Sequence, residues 1–390
     1  MMRVRTLEPR HRKAWDALAG RHPCSGFMQS WTWSVFKVLE GYQVLRLGLF
    51  EGSALRGGGI AYVYPSPAEA GLAVIPDGPI LDWEAPDASP ALQALVAALR
   101  ERAAGAPLVA VRVEPRLETL PALLAGLPRA PVDLVPDGTL EVDLGPEAEM
   151  LARMKPKGRY NARLAVRRGV EVVSSADPTD VHAFYEILER TAAYHDFLLE
   201  PKGFFINLVQ ALTPGMGRFA FARYKGITLA AALTVRHGHM VTYLYGGHLS
   251  LFRDAMANYA LHWHIMQEAA REGYRVYDFY GYVPPGTPDH PYDSFSRFKE
   301  KFGGRPVLRV GSRDVIFYDG LAQAALRAMR SAPSLPSYSP PSPSAPSPPP
   351  SPSIFSLPSP PKGERARVRG PRTSRHPGRP DRIRPRETHS

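Results

Sequence analysis

The sequence contains very little cysteine: Cys24 is the single one among 390 residues. An intramolecular disulfide and any zinc or iron–sulfur site built from cysteines are therefore excluded, and we expect no metal in this protein. The chain also lacks an uninterrupted run of about 18 apolar residues, the length needed to cross a membrane, and an apolar segment near its N-terminus. These absences predict a soluble, cytoplasmic protein without a membrane span.

Short motifs of several enzyme classes are missing as well. The sequence contains no G-x-S-x-G, no H-E-x-x-H, no G-x-x-x-x-G-K-[ST] and no G-x-G-x-x-G that opens a helix. This argues against α/β-hydrolases, zinc proteases, P-loop enzymes and dinucleotide-binding enzymes. Residues 56–61 fit the R-x-x-G-x-A loop that holds the pyrophosphate of coenzyme A. That loop must open a helix, whose N-terminal N–H groups face the anion, whereas residues 62–64 are typical of a strand.

The net charge of +11 is concentrated in one segment. Residues 331–390 hold 10 of the 48 Lys and Arg residues, 3 of the 37 Asp and Glu residues, and 17 of the 41 prolines. A segment of this composition cannot bury enough apolar surface to fold, so we predict a disordered Pro/Ser/Arg-rich tail. It is either a dispensable extension or a basic tether for RNA or acidic lipids. The rest of the chain carries too mild a charge to indicate a partner.

Hydrophobic periodicity divides the rest of the chain into two similar halves. A helix, a β-hairpin, a second helix and a strand follow one another, and after Asp143 the same order of elements recurs. Two copies of one unit predict an α/β fold with mixed sheets and a ligand cleft at or between the units. The predicted helices span residues 29–39, 91–103, 179–194 and 254–271, and the predicted strands span residues 44–50, 59–64, 108–113, 219–224, 227–236, 240–245 and 275–280.

Three polar strings are candidates for a binding or catalytic site. Each is also compatible with a solvated helix face and core aromatics. The three strings are residues 298–304, residues 155–161 with Arg163, Arg167 and Arg168, and Trp31 with Trp33 and Lys37.

Two histidines are not counted among these candidates. His262 and His264 lie two residues apart on a predicted helix, so they point in different directions and are interpreted as structural or surface histidines.

Six landmarks follow one another in order between residues 7 and 318. They are Gln29-Ser30 with Trp33 and Lys37, Gly78-Pro79-Ile80-Leu81-Asp82, Arg159-Tyr160-Asn161 with Leu164-Ala165, Tyr243-Leu244-Tyr245-Gly246-Gly247, Tyr277-Asp278-Phe279-Tyr280-Gly281, and Phe298-Lys299 with Phe302-Gly303. In this order they resemble the Fem-type non-ribosomal peptidyl transferases, also called peptidoglycan-bridge aminoacyltransferases. The resemblance implies two tandem GNAT-like acyltransferase subdomains before the tail, one of residues 1–146 with 308–330 and one of residues 147–307.

For function, the resemblance implies an aminoacyltransferase of cell wall biogenesis that moves an amino acid from aminoacyl-tRNA to the side-chain amine of a peptidoglycan stem peptide. The acceptor would be a UDP-linked or lipid-linked muropeptide precursor. No cofactor would be needed, and the enzyme would act as a monomer with a peripheral contact to the inner membrane face. Two alternatives stay open: an acyl-CoA-dependent N-acyltransferase for another amine of a polysaccharide or lipid pathway, and a tRNA-binding protein without catalysis.

The resemblance also assigns site residues. Lys299 matches a catalytic lysine beside the scissile ester, and Asp82 matches an acidic residue near the acceptor amine. Because aminolysis of an ester passes through a tetrahedral oxyanion, Lys299 is best used as a fixed cation. A carboxylate with a pKa of about 4 is a poor base for an ammonium with a pKa of about 10, so we expect Asp82 to bind and orient the amine. Substrate contacts are expected from Lys37, which meets the precursor's diphosphate, and from Trp33, Arg159, Asn161, Tyr243, Tyr245, Asp278 and Phe298.

Overall fold

A computed structural model describes residues 2–66, 70–104, 107–195, 197–283 and 293–317. The predicted disordered tail, residues 331–390, lies outside these residues. Within them, no helix is both long enough and apolar enough to cross a membrane. The strands are β1 (Arg3–Thr6), β2 (Gln43–Glu51), β3 (Ala54–Ser66), β4 (Ala70–Pro76), β5 (Leu108–Glu114), β6 (Gly138–Asp143), β7 (Glu171–Ser175), β8 (Gly217–Tyr224), β9 (Ile227–His237), β10 (Met240–His248), β11 (Val276–Asp278), β12 (Arg305–Leu308) and β13 (Arg313–Ile316). The α-helices are α1 (Arg12–Arg21), α2 (Trp31–Leu39), α3 (Ala88–Arg102), α4 (Ala122–Ala125), α5 (Glu147–Arg153), α6 (Pro156–Arg167), α7 (Val181–His195), α8 (Lys202–Leu212), α9 (Ala257–Arg271) and α10 (Asp293–Lys299).

The strands form two mixed sheets. The first has six strands in the order β1-β2-β3-β4-β5-β13, and the second has seven in the order β12-β6-β11-β10-β9-β8-β7. Each sheet is antiparallel except for one parallel pair, which is β4 with β5 in the first sheet and β10 with β11 in the second. This arrangement confirms the predicted α/β class with mixed sheets and the repetition of one unit along the chain.

The last two strands return to different sheets. β12 pairs with β6 in the second sheet, whereas β13 pairs with β5 in the first. A buried ion pair fixes the second of these contacts, since the guanidinium of Arg112 donates to both carboxylate oxygens of Asp314 over 2.8 and 3.0 Å. The expected subdomain boundary at residue 146 falls after β6, a strand that belongs to the second sheet. The division into subdomains stays a prediction.

Helix α2 shows how the sequence builds the core of the first half. Ser30 caps it, because the Ser30 hydroxyl accepts the N–H of Trp33 over 3.0 Å and so satisfies one of the free donors at the helix start. Trp33 is fully buried, and its ring contacts the rings of Phe27 and Phe36. The predicted helix at residues 29–39 is confirmed, preceded by a short 3-10 turn.

Other predicted elements are confirmed with small shifts at their ends. The predicted hairpin forms β2 and β3, the Ala/Leu-rich helix forms α3, and the buried strand after it forms β5. In the second half, the helix predicted at residues 254–271 forms α9 after another 3-10 turn. Periodicity did not predict α6. Its buried side has helical spacing but consists of small or polar residues, which do not give an apolar pattern in the sequence: Gly158, Asn161, Ala162 and Ala165.

Candidate functional site

The Lys299 side chain lies at the C-terminal end of α10 and turns toward the end of β11. Its Nζ donates hydrogen bonds to the backbone carbonyls of Tyr280 and Gly281, the second over 2.6 Å. The residue is half-buried. Two peptide dipoles therefore hold this cation in a fixed place. A cation held in this way can stabilise negative charge that develops beside it without first having to reorganise.

The two carbonyls reach Lys299 because the backbone turns sharply after β11. Tyr280 and Gly281 have φ values of 49° and 51°, in the left-handed region that a residue with a large side chain rarely adopts. Asp278 holds this turn, since its Oδ1 accepts the N–H of Tyr280 over 2.8 Å. Strained backbone that the surrounding structure fixes in this way is concentrated at functional sites.

Burial controls the protonation of the groups around Lys299. Desolvation lowers the pKa of Lys299 to about 8, and the charge of Asp278 offsets this effect only in part. Desolvation, together with the charges of Lys299 and His248, lowers the pKa of His262 to about 3. The Nδ1 of His262 lies 2.9 Å from the hydroxyl of Tyr277. At neutral pH, Lys299 is therefore mostly a cation and His262 is neutral.

Aromatic rings surround His262 and form a wall beside Lys299. The ring centres of Tyr243 and Phe298 lie 4.8 and 5.5 Å from the centre of the imidazole. Phe302 packs on both the imidazole and Phe298. The structure thus brings together Lys299, Tyr243 and Phe298, three of the residues that the sequence assigns to the site. It also buries His262 in the core, in agreement with its interpretation as a structural histidine.

Asp278 lies beside this cluster, in the interior of the protein. The carboxylate is fully buried, its Oδ1 accepts the hydroxyl of Thr139 and the N–H of Tyr280, and its Oδ2 forms an ion pair with Arg116 at 3.1 Å. Burial alone would raise the pKa of Asp278, but the charges of Arg116 and Arg309 hold it below its ordinary value. Asp278 thus fixes the turn that carries the carbonyl partners of Lys299, and its expected substrate contact stays a prediction.

Arg116 connects this buried carboxylate to the first sheet. Its guanidinium lies 3.9 Å from Asp77, which follows β4, and 3.5 and 3.1 Å from Glu141 and Asp278 of the second sheet. Buried charges are stable only when they are paired, so this cluster ties the two sheets together behind the Lys299 turn. Sequence reasoning missed Arg116 because it stands 162 positions from Asp278, and no local pattern reports such a pairing.

Lys37 lies in a second buried cluster. Only 2% of the residue is exposed, and its Nζ lies 4.3 Å from the centre of the Tyr42 ring and 5.5 Å from that of Phe36. Burial lowers the pKa of Lys37 to about 7, although the charges of Glu40 and Glu200 act in the opposite direction. The ammonium is therefore close to losing its proton at neutral pH, which is uncommon for a lysine.

Tyr245 belongs to the cluster around Lys37. Burial, followed by the charges of Glu200 and Glu40, raises the pKa of Tyr245 far above its ordinary value. Trp33, another expected substrate contact, is fully buried in the adjoining core. Trp33 and Lys37 share helix α2, and the Tyr245 ring packs on Phe204, whose ring contacts that of Phe36. Their contacts with a substrate stay predictions. Because Trp33 and Lys37 are buried, a substrate in solution can contact them only if the surrounding side chains move apart.

Asp82 stands apart from the Lys299 cluster. It is exposed, and its charge partly offsets the effect of burial, which lowers the pKa of the nearby His22. The Sγ of Cys24 lies 3.0 Å from Nδ1 of His22, but burial raises the pKa of this thiol to about 11, so the pair does not form a reactive thiolate. Within the described ranges, no contact joins Asp82 to Lys299.

Arg159 and Asn161 lie on α6 and serve the protein's own packing. Arg159 donates to the carbonyl of Leu151 over 3.0 Å, at the end of α5, where the last carbonyls of a helix lack partners within the helix. Asn161 is 4% exposed. The described contacts of these side chains lie within the protein, and their expected substrate contacts stay predictions.

The start of α6 nevertheless adjoins the segment that carries Lys299. The backbone N–H of Lys155 donates to the carbonyl of Lys301 over 3.1 Å, and the Lys155 ammonium forms an ion pair with Glu300 at 2.6 Å. Gly158 allows this close approach, since a Cβ atom there would lie 2.1 Å from the carbonyl oxygen of Lys301. Helix α6 and the segment that carries Lys299 are therefore in direct contact and form one continuous region.

Two other expectations concern cofactors. No group of three or more His, Cys, Asp or Glu side chains that could hold a metal ion occurs in the part of the chain that the structure describes. Residues 56–61, the string that fits a coenzyme A loop, lie inside β3. Its glycines admit a neighbouring backbone segment, because a Cβ atom on Gly57 would lie 2.4 Å from the carbonyl oxygen of Ile80. Strand packing thus explains this string.

Comparison with known proteins gives one family match within the second half of the chain and several solved structures with a similar fold. The acetyltransferase (GNAT) domain family matches residues 153–294. The crystal structure of FemX, 20% identical, covers 83% of this chain and 99% of its own, with a TM-score of 0.74. The structure of L-PGS from Bacillus licheniformis, 12% identical, covers 83% and 96% with a TM-score of 0.49. A tandem GNAT protein from the clavulanic acid biosynthesis pathway, 12% identical, covers 81% and 98% with a TM-score of 0.46. No curated protein matches by sequence.

Proposed function

We propose that this chain, an acyltransferase with the fold of FemX and a GNAT domain at residues 153–294, transfers an amino acid from aminoacyl-tRNA to the side-chain amine of a peptidoglycan stem peptide. The acceptor is a UDP-linked or lipid-linked muropeptide precursor. The observation that best supports this proposal is the Lys299 ammonium, held by two backbone carbonyls beside an aromatic wall. A fixed positive charge near the carbonyl oxygen stabilises the oxyanion through which the aminolysis of an ester passes.

The proposed reaction forms one bond and breaks one. The neutral acceptor amine attacks the ester carbonyl, a C–N bond forms, and the C–O bond to the tRNA ribose breaks. The proton of the amine leaves with the ribose oxygen, and the neighbouring ribose hydroxyl can relay it. Negative charge builds on the carbonyl oxygen during the attack, and the Lys299 ammonium stabilises it. Removal of one such group typically lowers a rate by about 10²–10³-fold.

Asp82 and Lys37 are proposed to serve the acceptor. The exposed carboxylate of Asp82 holds the acceptor's ammonium by charge before its proton is lost. Lys37 meets the diphosphate of the precursor when the aromatic cluster around it opens. A diphosphate favours the charged form of a neighbouring lysine. Binding of the precursor is therefore expected to favour the protonated form of Lys37, whereas burial disfavours it.

Lys37 provides a test of this acceptor role that combines stability with kinetics. Because the pKa of Lys37 is about 7 in the folded protein and about 10.4 in an unfolded chain, burial of the charge destabilises the fold most below pH 7. This penalty disappears as pH rises toward 10.4. We expect Lys37→Met to raise the free energy of unfolding at pH 6 by about 2 kcal/mol or more, and far less at pH 10. The same variant should raise KM for the precursor about tenfold with kcat unchanged.

The control for Lys37→Met is Lys13→Met, which removes an exposed lysine on α1 and should change neither quantity. Urea unfolding at pH 6 and pH 10 and initial rates at varied precursor concentration provide the two measurements. An unchanged KM in a folded Lys37→Met variant would show that Lys37 is a packing residue.

Donor and acceptor are tested together by a single assay. The full chain is incubated with a set of charged tRNAs and muropeptide precursors, and the products are analysed by mass spectrometry. A mass increase of one aminoacyl residue on the stem peptide supports the proposal and identifies the amino acid. Absence of this product with every charged tRNA would refute the proposed function.

The GNAT match at residues 153–294 favours a second candidate, an acyl-CoA-dependent N-acyltransferase that modifies another amine of a polysaccharide or lipid pathway. The same assay distinguishes it when acetyl-CoA and longer acyl-CoA thioesters replace the charged tRNAs. Acylation of an amine with release of free CoA, and no product with charged tRNA, would establish this alternative.

A further inference from the structure

Helix α6 carries a row of exposed basic residues with one aromatic residue among them. Tyr160, Arg163 and Arg167 are three and four positions apart, so they share one side of the helix, and Lys157 lies next to them. All four are exposed, Tyr160 by 57%. The guanidinium of Arg167 lies 5.9 Å from the centre of the Tyr160 ring. We name these four residues the basic face of α6; from Lys157 to Arg167 it is about 15 Å long.

Within the described residues, the charges of the basic face have no acidic partner. α6 contains no acidic residue, and among the described residues no carboxylate lies within ion-pair distance of Lys157, Arg163 or Arg167. Basic residues at the two ends of the helix do have partners: Lys155 pairs with Glu300 at 2.6 Å and Arg168 with Asp254 at 3.3 Å. Three adjacent cations without counter-ions fit a polyanion.

The opposite side of α6 is already in use. Ala162 and Ala165 are fully buried in the core of the second half. A helix that lies on a membrane needs a free apolar face rich in Trp, Phe or Leu, and the exposed side of α6 offers Val166 as its one aliphatic residue. A single exposed tyrosine between cations is instead typical of surfaces on which nucleic acid bases stack.

The position of α6 connects this surface to the reacting atoms. Its first turn contacts residues 300 and 301 through Lys155 and Gly158, and Lys299 precedes them directly. We propose that the basic face of α6 binds the backbone phosphates of the donor RNA, with Tyr160 stacked on a base, so that the RNA 3′ end lies at Lys299. This inference rests on the proposed function, which makes an RNA the carrier of the amino acid.

The test compares two triple variants of the full chain with equal charge. The first variant combines Lys157→Gln, Arg163→Gln and Arg167→Gln; the control combines Arg3→Gln, Lys13→Gln and Arg21→Gln, which are exposed elsewhere. The probe is a fluorescent RNA hairpin with a single-stranded 3′ CCA end, and binding is followed by anisotropy from 50 to 300 mM salt. We expect the first variant to bind about 10- to 100-fold more weakly and to lose about 2 units of the slope of log K against log[salt]. The control should retain the wild-type slope and affinity within about threefold.

A second pair of variants tests the stacking. Tyr160→Ala should weaken RNA binding at least about fivefold, whereas Tyr160→Phe keeps the ring and should bind as the wild type does. Equal affinities for these two variants would exclude stacking by Tyr160.

The outcomes separate this inference from the proposed function. If both triple variants bind the hairpin and use charged tRNA as the wild type does, the RNA lies elsewhere and the function stands. If the wild type transfers no amino acid from tRNA and does not bind the hairpin, the proposed function and the inference both fail. If the first variant loses binding to phosphatidylglycerol vesicles and keeps RNA binding, the basic face serves a lipid surface, and the inference is overturned.

Discussion

Replacing Lys299 with methionine is expected to lower kcat about 100- to 1,000-fold while KM for either substrate changes by less than about threefold. Methionine fills a similar volume but cannot donate to the carbonyls of Tyr280 and Gly281 or stabilise an oxyanion. The ammonium acts mainly on charge that exists in the transition state, so its loss affects turnover more than binding. Initial rates at varied donor and acceptor concentrations measure both constants.

The control for Lys299→Met is again Lys13→Met, which should leave kcat and KM unchanged. A parallel change of KM and kcat in Lys299→Met would show that Lys299 binds substrate and does not act on the transition state.

The pH dependence of the rate gives a second test of the role of Lys299. Since the pKa of Lys299 is about 8, the wild-type rate should fall above pH 8 as the cation is lost. This fall should disappear in Lys299→Arg, because an arginine keeps its charge.

The second large effect is expected from Asp278→Asn. This substitution keeps the shape of the side chain but removes the buried carboxylate charge that lies 3.1 Å from Arg116 and 3.8 Å from Arg309. Arg116 keeps the charges of Asp77 and Glu141. Removing one partner of a buried ion pair typically destabilises a protein by about 3–5 kcal/mol. Urea unfolding at pH 7 should show a loss of this size. The weakened turn at Tyr280 should also displace the carbonyl partners of Lys299 and lower kcat.

The matched control is Glu118→Gln, since Glu118 forms an exposed ion pair with Arg305 at 2.7 Å. Loss of this ion pair should change the free energy of unfolding by about 0–1 kcal/mol.

The effect of Asp278→Asn on stability should depend on pH. Because the pKa of Asp278 is held below its ordinary value, the stabilising charge is present above about pH 4 and is lost as pH falls through the lowered pKa. An effect as small as that of the control would show that the cluster of Arg116 does not hold the sheets together.

Local patterns were sufficient to predict much of the fold. The Ser30 cap and the apolar spacing after it placed α2, and the alternation on either side of residues 51–53 placed β2 and β3. These features depend on contacts between residues close in sequence, where propensity and period are informative. The string at residues 298–304 likewise indicated the region of Lys299. Order of landmarks and local spacing therefore predicted the architecture, whereas the role of Lys299 stays a prediction.

The remaining site features depend on distant partners and could not be read from local patterns. Lys37 looks like an exposed lysine on an amphipathic helix, yet packing of α2 against the rest of the core buries its ammonium beside Tyr42. Asp278 ends a strand as many binding residues do, but Arg116, far away in the chain, occupies its carboxylate. Single-sequence reasoning assigns a residue type and a position, whereas the neighbours of a side chain are set by tertiary packing.

The pairing of β13 with β5 has a consequence for how the chain is made. Protein synthesis proceeds from the N-terminus, so the strands of the first sheet leave the ribosome long before β13 does. The buried pair of Arg112 and Asp314 spans 202 positions, and until its second member emerges, one edge of β5 has no strand beside it. An open strand edge is a template for wrong pairing. The nascent chain therefore carries this unpaired edge of β5 from the synthesis of residue 114 until that of residue 313, and a chain released earlier keeps the edge exposed to other strands.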